Sequence, residues 1–349
     1  MKLHEDVNAF RVLINDIQEK TGYRLDVLEK DYYVVLMLEE LAQKQEEGLP
    51  AYFKGGTALY KALHTTNRFS EDIDLSVDTR GCSRTQNDKR LEKATKKYTS
   101  LTRDAGQGVT NRSEVIAVYS YKPVTDYDRD DVLQRFGKLK IEATSFTISE
   151  PVTSMEVAAM IYELATEEQK KILEEIYDVK PFRVQTITLE RIFVDKLFAA
   201  EAYVRKAEIK SRAFEAAKHI YDLAVMGKLK QIISLINNEE PLDRLLDIRM
   251  KEEIGRLDGV PGLSPKEFTF FEEIKNNKLI INAYETMQRQ YVLRECDKIP
   301  YETALKALED IQQALKKNVA WNIVIAPDTK SHNEALHGRD TSNRGGRSR

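Results

Sequence analysis

Cysteine and histidine are too scarce in this chain to build a disulfide framework or a zinc site. Its 349 residues include two isolated cysteines, Cys82 and Cys296, and five scattered histidines. No CxxC pair occurs. Isolated cysteines are typical of proteins from a reducing compartment, so we expect a cytoplasmic location.

Long apolar runs and a strong charge bias are also absent. No run of about 18 apolar residues occurs, so no transmembrane helix and no role at a membrane are expected. The first ten residues, MKLHEDVNAF, contain acidic side chains and no signal-peptide core. The net charge of −3 does not indicate a nucleic-acid-binding protein. It does not exclude one either, because local patches matter more than the total.

The remaining composition, 42% hydrophobic and 32% charged, is that of a soluble globular protein. Apolar periodicity predicts helices over residues 5–20 and Leu25–Leu41. Short strands follow from alternation at Ala51–Phe53, Ile73–Val77, Glu114–Tyr121, Lys138–Phe146 and Phe182–Thr188. Met155–Tyr177 is predicted to be helical in part. From Leu189 almost to Val319 the period is helical, apart from a loop at Gly255–Pro265.

These elements predict an α/β (α+β) fold in three parts. Residues 1–150 form a core with a small mixed sheet and N-terminal helices, and residues 151–327 form a mainly helical domain that closes the cleft. Residues 328–349 are polar and lack periodicity, so we expect a disordered tail. Its arginine-rich end either contacts RNA or is a plain flexible terminus.

The segment Phe53–Val77, FKGGTALYKALHTTNRFSEDIDLSV, carries the strongest functional signal. Asp72 and Asp74 are two residues apart in a strand, so both carboxylates point the same way. Carboxylates that close raise each other's pKa unless a cation lies between them, and Mg²⁺ is such a cation. Gly55 and Gly56 supply backbone that can approach a phosphate at the start of a helix.

Each half of this segment has an ordinary explanation when taken alone. A lone DxD is usually a solvated strand end, and a lone Gly-Gly is usually a turn. Both together, in this order and followed by apolar alternation, favour a nucleotidyltransferase of the polymerase-β type.

Three matched stretches, EKDYY, KGGTALYK and RFSEDIDL, resemble the AbiEii family in sequence and spacing. These are nucleotidyltransferase-like toxins of type IV toxin–antitoxin and abortive-infection systems. Weaker similarity runs on to about Leu223. The resemblance implies Mg²⁺ or Mn²⁺ as cofactor, a nucleoside triphosphate (NTP) as substrate and a cognate antitoxin encoded nearby. It also implies an RNA acceptor, with the tRNA 3′ end as the leading candidate, and growth arrest as the result.

Further site residues come from the same resemblance and from burial patterns. Glu142, on a strand with Lys140, belongs either to a surface pair or to the site, and the resemblance favours a metal ligand or base. Lys196 lies in the apolar stripe of a helix, where a lysine either snorkels or neutralises triphosphate charge. Asp222 occupies the place of the family's last catalytic acid, while His219 replaces the first one.

The remaining candidates surround the glycines. The nucleotide-binding set is Lys54, Gly55, Gly56, Thr57, Arg68, Ser70 and Lys196, and Asp72, Asp74, Lys196 and Asp222 form the catalytic set. Thr57 is expected to cap the helix and to point its hydroxyl at the nucleotide. The predicted metal ligands are Asp72, Asp74 and Glu142.

The acceptor remains open. The segment Arg84–Arg103 predicts a helix with one cationic side, which is either a solvated face or a track for an RNA backbone. The alternatives are nucleotidyl transfer to a protein or small molecule, kinase-like phosphoryl transfer, and non-catalytic binding of nucleotide or RNA.

Overall fold

Two helices open the fold. The computed structural model describes residues 1–125, 133, 135–255 and 264–323. Helix α1 spans Val7–Thr21 and α2 spans Leu25–Glu46. Asp6 caps α1 by accepting a hydrogen bond from the Ala9 N–H, and Gly22 ends it in the left-handed conformation. α2 is buried along most of its length and packs against the sheet.

A mixed sheet forms the centre of the molecule. Within the described residues its seven strands are β1 (Ala51–Lys54), β2 (Asp72–Val77), β3 (Thr102–Thr110), β4 (Glu114–Ser120), β5 (Lys138–Thr144), β6 (Val152–Val157) and β7 (Phe182–Ile187). Their order is β3-β4-β5-β2-β1-β7-β6. β2 is parallel to β5 and β1 is parallel to β7, while the other neighbours are antiparallel. The predicted α/β class is confirmed.

Helices cover the sheet and fill the second half of the chain. Between the strands lie α3 (Gly55–Lys61), α4 (Arg84–Thr95), α5 (Met160–Glu163) and α6 (Glu167–Tyr177). After β7 come α7 (Leu189–Val204), α8 (Lys210–Met226), α9 (Lys230–Asn237), α10 (Glu239–Gly255), α11 (Phe270–Glu273), α12 (Lys278–Tyr291) and α13 (Tyr301–Lys317).

The sheet continues beyond residue 150, where we expected a domain boundary. β7 pairs with β1, and β6 pairs with β7 at the edge of the sheet. The predicted boundary therefore falls inside the sheet, and the helical part begins at Leu189. Met155–Tyr177, which we expected to be helical in part, contains α5 and α6, while its first three residues belong to β6, which pairs with β7 along its whole length.

The predicted basic helix Arg84–Arg103 is shorter than expected. α4 ends at Thr95, and Arg103 lies on β3. The sequence of β3, TRDAGQGVT, has two glycines and no apolar alternation, so its pattern gave no strand signal. It forms because its backbone pairs with β4 at the edge of the sheet, with a register shift between Asp104 and Gly108.

The helical part is tied to the loop that leads into β2. The Phe69 N–H donates to the Tyr291 carbonyl over 2.7 Å, and the Leu293 N–H donates to the Asn67 carbonyl over 3.1 Å. The end of α12 thus holds the backbone immediately before Asp72, which fixes the two halves of the molecule beside each other.

Two further expectations concern other parts of the chain. The polar tail, 328–349, lies outside the described residues, as does most of the predicted loop Gly255–Pro265. Among the helices that the structure describes, none is both long and apolar enough to cross a bilayer.

Candidate active site

The sheet gathers the predicted carboxylates on its less buried face. Asp74 on β2 lies opposite Glu142 on parallel β5 and opposite Lys54 on antiparallel β1. These three residues therefore form one row across three neighbouring strands. Asp72, two residues earlier on the same face, lies opposite Lys140. The period-2 prediction for Asp72 and Asp74 is matched by the structure, and Glu142 joins them through the register of β5.

The carboxylates of this row differ in how well they are paired. Asp72 receives Nη1 of Arg135 at 2.7 and 2.8 Å on its two oxygens, and Nζ of Lys140 lies 3.2 Å away. Lys140 also lies 3.2 Å from Glu142. Burial and the negative charges of Glu142 and Asp72 raise the pKa of Asp74 to about 7. Negative charge at Asp74 is therefore undercompensated.

The donor set of this face fits a divalent cation. Carboxylate oxygens are the ligands that Mg²⁺ prefers, and the raised pKa of Asp74 shows a place where added positive charge is favourable. In their present positions, no three acidic, histidine or cysteine side chains of the described residues form a group that could hold a metal ion. Arg135 and Lys140 instead contact the oxygens that a cation would take.

The two glycines allow the turn after β1 to approach the acidic row. Gly55 has a φ of +80°, and a Cβ at this position would collide with the carboxylate of Asp74. A Cβ at Gly56 would lie 2.9 Å from both Arg68 Nη2 and Ser70 Oγ. α3 has only seven residues, so the helix dipole at its N-terminus is weak. Binding of a phosphate there would therefore depend on nearby cations.

Thr57 does not have the role that the sequence suggested. Its hydroxyl donates to the Asp72 carbonyl and lies 2.9 Å from the hydroxyl of Ser70. Thr57 is fully buried, and the capping position of α3 has no side-chain hydrogen bond. The Thr57 hydroxyl therefore fixes the glycine turn to β2 instead of pointing at a nucleotide, because the Asp72 carbonyl is the nearer acceptor.

We expect Gly55→Ala to reduce the activity predicted from the sequence more strongly than Gly48→Ala. Gly48 also has a positive φ, +87°, but a Cβ there would meet nothing within 4 Å. Both substitutions carry a backbone strain of about 1–2 kcal/mol, and only Gly55→Ala also displaces the Asp74 carboxylate. Unfolding free energies and initial rates measured on both variants test this. Equal losses of activity would mean that the approach to Asp74 has no functional importance.

A buried ion triad links the helical part to the loop before β2. Asp222 on α8 accepts hydrogen bonds from Arg68 Nε at 3.0 Å and Arg68 Nη2 at 2.8 Å. Lys196 Nζ on α7 lies 2.7 Å from the same carboxylate. Burial opposes ionisation, but the two cations hold the pKa of Asp222 well below its ordinary value. All three side chains are buried.

This triad changes two of the expected roles. We expected Arg68 to bind phosphate, but its guanidinium is occupied by Asp222 and buried. We expected Asp222 to act as a catalytic acid, but both of its oxygens are engaged and it is not exposed. Asp222 instead positions Lys196. The burial expected for Lys196 from its apolar stripe is observed, whereas its partner was not foreseen.

His219, which the sequence resemblance places at the position of an acid, is a neutral side chain next to this triad. Its ring stacks on Tyr203 with centroids 5.3 Å apart and planes inclined by 20°. Burial, and then the positive charge of Lys196, lowers its pKa well below the ordinary value. Its Nδ1 atom has no hydrogen-bond partner among the described residues. Among the described residues, the contact that the geometry shows for His219 is its stacking on Tyr203, and a polar contact remains a prediction.

The sequence analysis missed buried charged residues that hold the backbone around the site. Lys30 is fully buried in α2; its Nζ donates to the carbonyls of Arg135 and Lys138 and lies 3.3 Å from Glu71. Next to it, Asp31 pairs with Lys61 at 3.0 Å. The signal was available, since charges inside an otherwise apolar helix have to be paired. Nothing in the sequence marked Arg135.

The cationic side of α4 is partly neutralised. Lys93 pairs with Glu47 at 3.1 Å, and Lys96 pairs with Glu92 at 3.5 Å. Arg90 donates to the Asp78 carbonyl. These contacts describe a solvated helix face and leave the RNA track a hypothesis.

The chain is similar to known nucleotidyltransferase toxins. A family model described as nucleotidyl transferase AbiEii toxin, type IV toxin–antitoxin system, matches residues 37–317. A solved structure, MenT4, a nucleotidyltransferase toxin from Mycobacterium tuberculosis H37Rv, is similar at 13% identity. That alignment covers 88% of this chain and 98% of the other, with a TM-score of 0.44. No curated protein matches.

Proposed function

Because this chain belongs to the AbiEii family of nucleotidyltransferase toxins, we propose that it transfers a nucleotide from an NTP to RNA. The 3′ end of tRNA is the leading acceptor. The observation that carries the proposal is the row of Lys54, Asp74 and Glu142 beside Gly55. It places a cation, two carboxylates and a half-buried turn of backbone within one small area.

The side chains divide the work as follows. Asp72, Asp74 and Glu142 would hold the divalent ion, Mg²⁺ or Mn²⁺, with Glu142 serving either as ligand or as base. When bound, this ion neutralises phosphate charge and lowers the pKa of the attacking hydroxyl. Lys54 binds the triphosphate, Lys196, held by Asp222, supplies positive charge to neutralise it, and the backbone of Gly55 and Gly56 packs against it. Positioning and electrostatic stabilisation supply most of the rate.

The reaction and its biological effect follow from this arrangement. The acceptor hydroxyl gives its proton to Glu142 or to solvent and attacks the α-phosphorus, and a new phosphodiester bond forms. The bond from the α-phosphorus to the bridging oxygen breaks, and pyrophosphate leaves with its electron pair. Capping the tRNA 3′ end would stop aminoacylation and arrest growth in the cytoplasm. The type IV toxin–antitoxin family implies that an antitoxin relieves this effect.

The test is a labelling experiment with the purified protein. Total RNA and Mg²⁺ are incubated with each α-³²P-labelled NTP in turn, beside Asp72→Asn as the matched inactive protein. We expect a labelled tRNA-sized band that requires Asp72 and the metal, together with released pyrophosphate.

Other outcomes would redirect the assignment. Label on protein or on a small molecule would replace RNA as the acceptor class. A nucleoside diphosphate product would indicate phosphoryl transfer instead. Absence of label with every NTP, from folded protein, would contradict the proposal.

A further inference from the structure

Arg135 is paired with the Asp72 carboxylate, which is a ligand of the proposed metal ion. It lies just before β5, and its Nη1 contacts both oxygens of Asp72 at 2.7 and 2.8 Å. Its Nε lies 3.9 Å from Glu71 Oε1. A guanidinium in this position satisfies Asp72 in the way that a divalent cation would. The two cations cannot both bind the same oxygens.

The backbone and the side chain of Arg135 are held differently. The buried ammonium of Lys30 donates to the Arg135 carbonyl at 2.6 Å and to the Lys138 carbonyl, so the turn is fixed from below. The side chain of Arg135 is 36% exposed and ends at the open face of the sheet. The guanidinium can therefore leave Asp72 by a change of rotamer, without a movement of the fold.

A displaced guanidinium next to this site has an obvious second partner. A cation bound at Asp72 repels Arg135, and an NTP brings several negative charges to the same face. The planar fork of N–H donors matches phosphate oxygens and can bind two of them at once. Lys140, by contrast, stays between Asp72 and Glu142 on the strand itself.

We propose that Arg135 is a substrate-binding residue with two positions. It pairs with Asp72 in the nucleotide-free protein and transfers to the triphosphate when a metal-bound nucleotide enters. This inference rests on the proposed function, because it needs a divalent ion at Asp72. It assigns Arg135 two opposite effects: it weakens binding of the metal alone and strengthens binding of the metal–nucleotide complex.

The first test measures Mn²⁺ binding without nucleotide, by the loss of the free-ion signal in electron paramagnetic resonance. We expect Arg135→Gln to bind Mn²⁺ about five-fold more tightly than the unmodified protein. Arg80→Gln is the matched control, because Arg80 also pairs with an aspartate, Asp78 at 2.8 Å, on a 60% exposed side chain. It should bind Mn²⁺ as the unmodified protein does. Weaker or unchanged binding by Arg135→Gln would overturn the proposal.

The second test measures binding of a non-hydrolysable NTP analogue in saturating Mg²⁺. We expect the dissociation constant to rise about ten-fold in Arg135→Gln, to rise less in Arg135→Lys and to stay constant in Arg80→Gln. A dissociation constant unchanged in Arg135→Gln would show that Arg135 does not reach the phosphates.

Failure of this inference can be told apart from failure of the proposed function. An unmodified protein that binds Mn²⁺ and labels RNA, with no tightening in Arg135→Gln, contradicts only the role of Arg135. An unmodified protein that binds no Mn²⁺ contradicts the metal site, and with it both proposals.

Discussion

Replacing Asp222 with alanine is expected to lower the free energy of unfolding by about 3–5 kcal/mol and to abolish nucleotidyl transfer. Asp222 is the sole acid within the triad formed with Arg68 and Lys196, and all three side chains are buried. Its removal leaves two desolvated positive charges next to each other. Chemical denaturation at pH 7 measures the stability, and RNA labelling measures the activity.

Lys196→Met is the comparison that separates position from stability. In this variant Asp222 keeps its two hydrogen bonds to Arg68, so no buried charge is left alone. We expect a loss of stability well below that of Asp222→Ala, but a comparable loss of transfer. If Lys196→Met retained normal transfer, the triad would be a structural element and the triphosphate would need another cation.

Acid titration offers a second check on the triad. Because Arg68 and Lys196 hold the pKa of Asp222 below its unfolded value, the triad stabilises the protein fully above the unfolded pKa. The stabilisation is lost as the pH falls through the lower folded value. Asp222→Ala should therefore differ most from the unmodified protein near neutral pH and approach it in strong acid.

The sequence predicted those parts of the site that depend on local geometry. Asp72 and Asp74 share a face because a strand has a period of two, and Lys196 is buried because its helix has an apolar stripe. Glu142 could be placed on a strand from its alternation. That Asp74 lies beside Glu142 on the next strand follows from the register of the sheet, which is a tertiary property.

The parts that could not be predicted depend on contacts between distant segments. Arg68 and Asp222 are 154 positions apart, and Lys30 reaches the carbonyl of Arg135 across 105 positions. A single sequence shows that a buried charge needs a partner but does not show which one. The same limit explains β3, whose polar sequence becomes a strand only because β4 offers it a free edge.

The acidic row and the ion triad represent two ways of treating a buried carboxylate. Asp222 has two cations at hydrogen-bond distance and is ionised at every physiological pH. Asp74 has acidic neighbours and a pKa near 7, so half of its charge is lost at neutral pH. A structural role favours the first arrangement. The arrangement around Asp74 lowers the stability of the protein. Such a cost is expected of a site whose charge is balanced only when a cation binds.

Because the Asp74 carboxylate lowers stability, we expect Asp74→Asn both to inactivate the protein and to stabilise it. We expect the rate of nucleotidyl transfer to fall by about 10³-fold, since a carboxylate ligand of the proposed cation and its negative charge are lost. At pH 8 the free energy of unfolding should rise by about 2 kcal/mol, because the burial of a charge and its repulsion with Glu142 and Asp72 both disappear. The measurements are RNA labelling and urea denaturation at several pH values without metal.

The gain in stability of Asp74→Asn is expected to depend on pH. The folded pKa of Asp74, about 7, lies above its ordinary value of 3.8, so the folded state binds the extra proton between these values. The unmodified protein therefore loses stability as the pH rises from about 4 to 7, and its difference from Asp74→Asn should shrink in acid. Asp72→Asn is the matched control, since Asp72 is paired with Arg135 and Lys140, so that the repulsion of Asp74 which its removal relieves is offset by the loss of these two contacts. It should lose transfer without gaining stability at pH 8. An Asp74→Asn variant less stable than the unmodified protein at pH 8 would show that Asp74 is held by compensating contacts and is not kept for a cation.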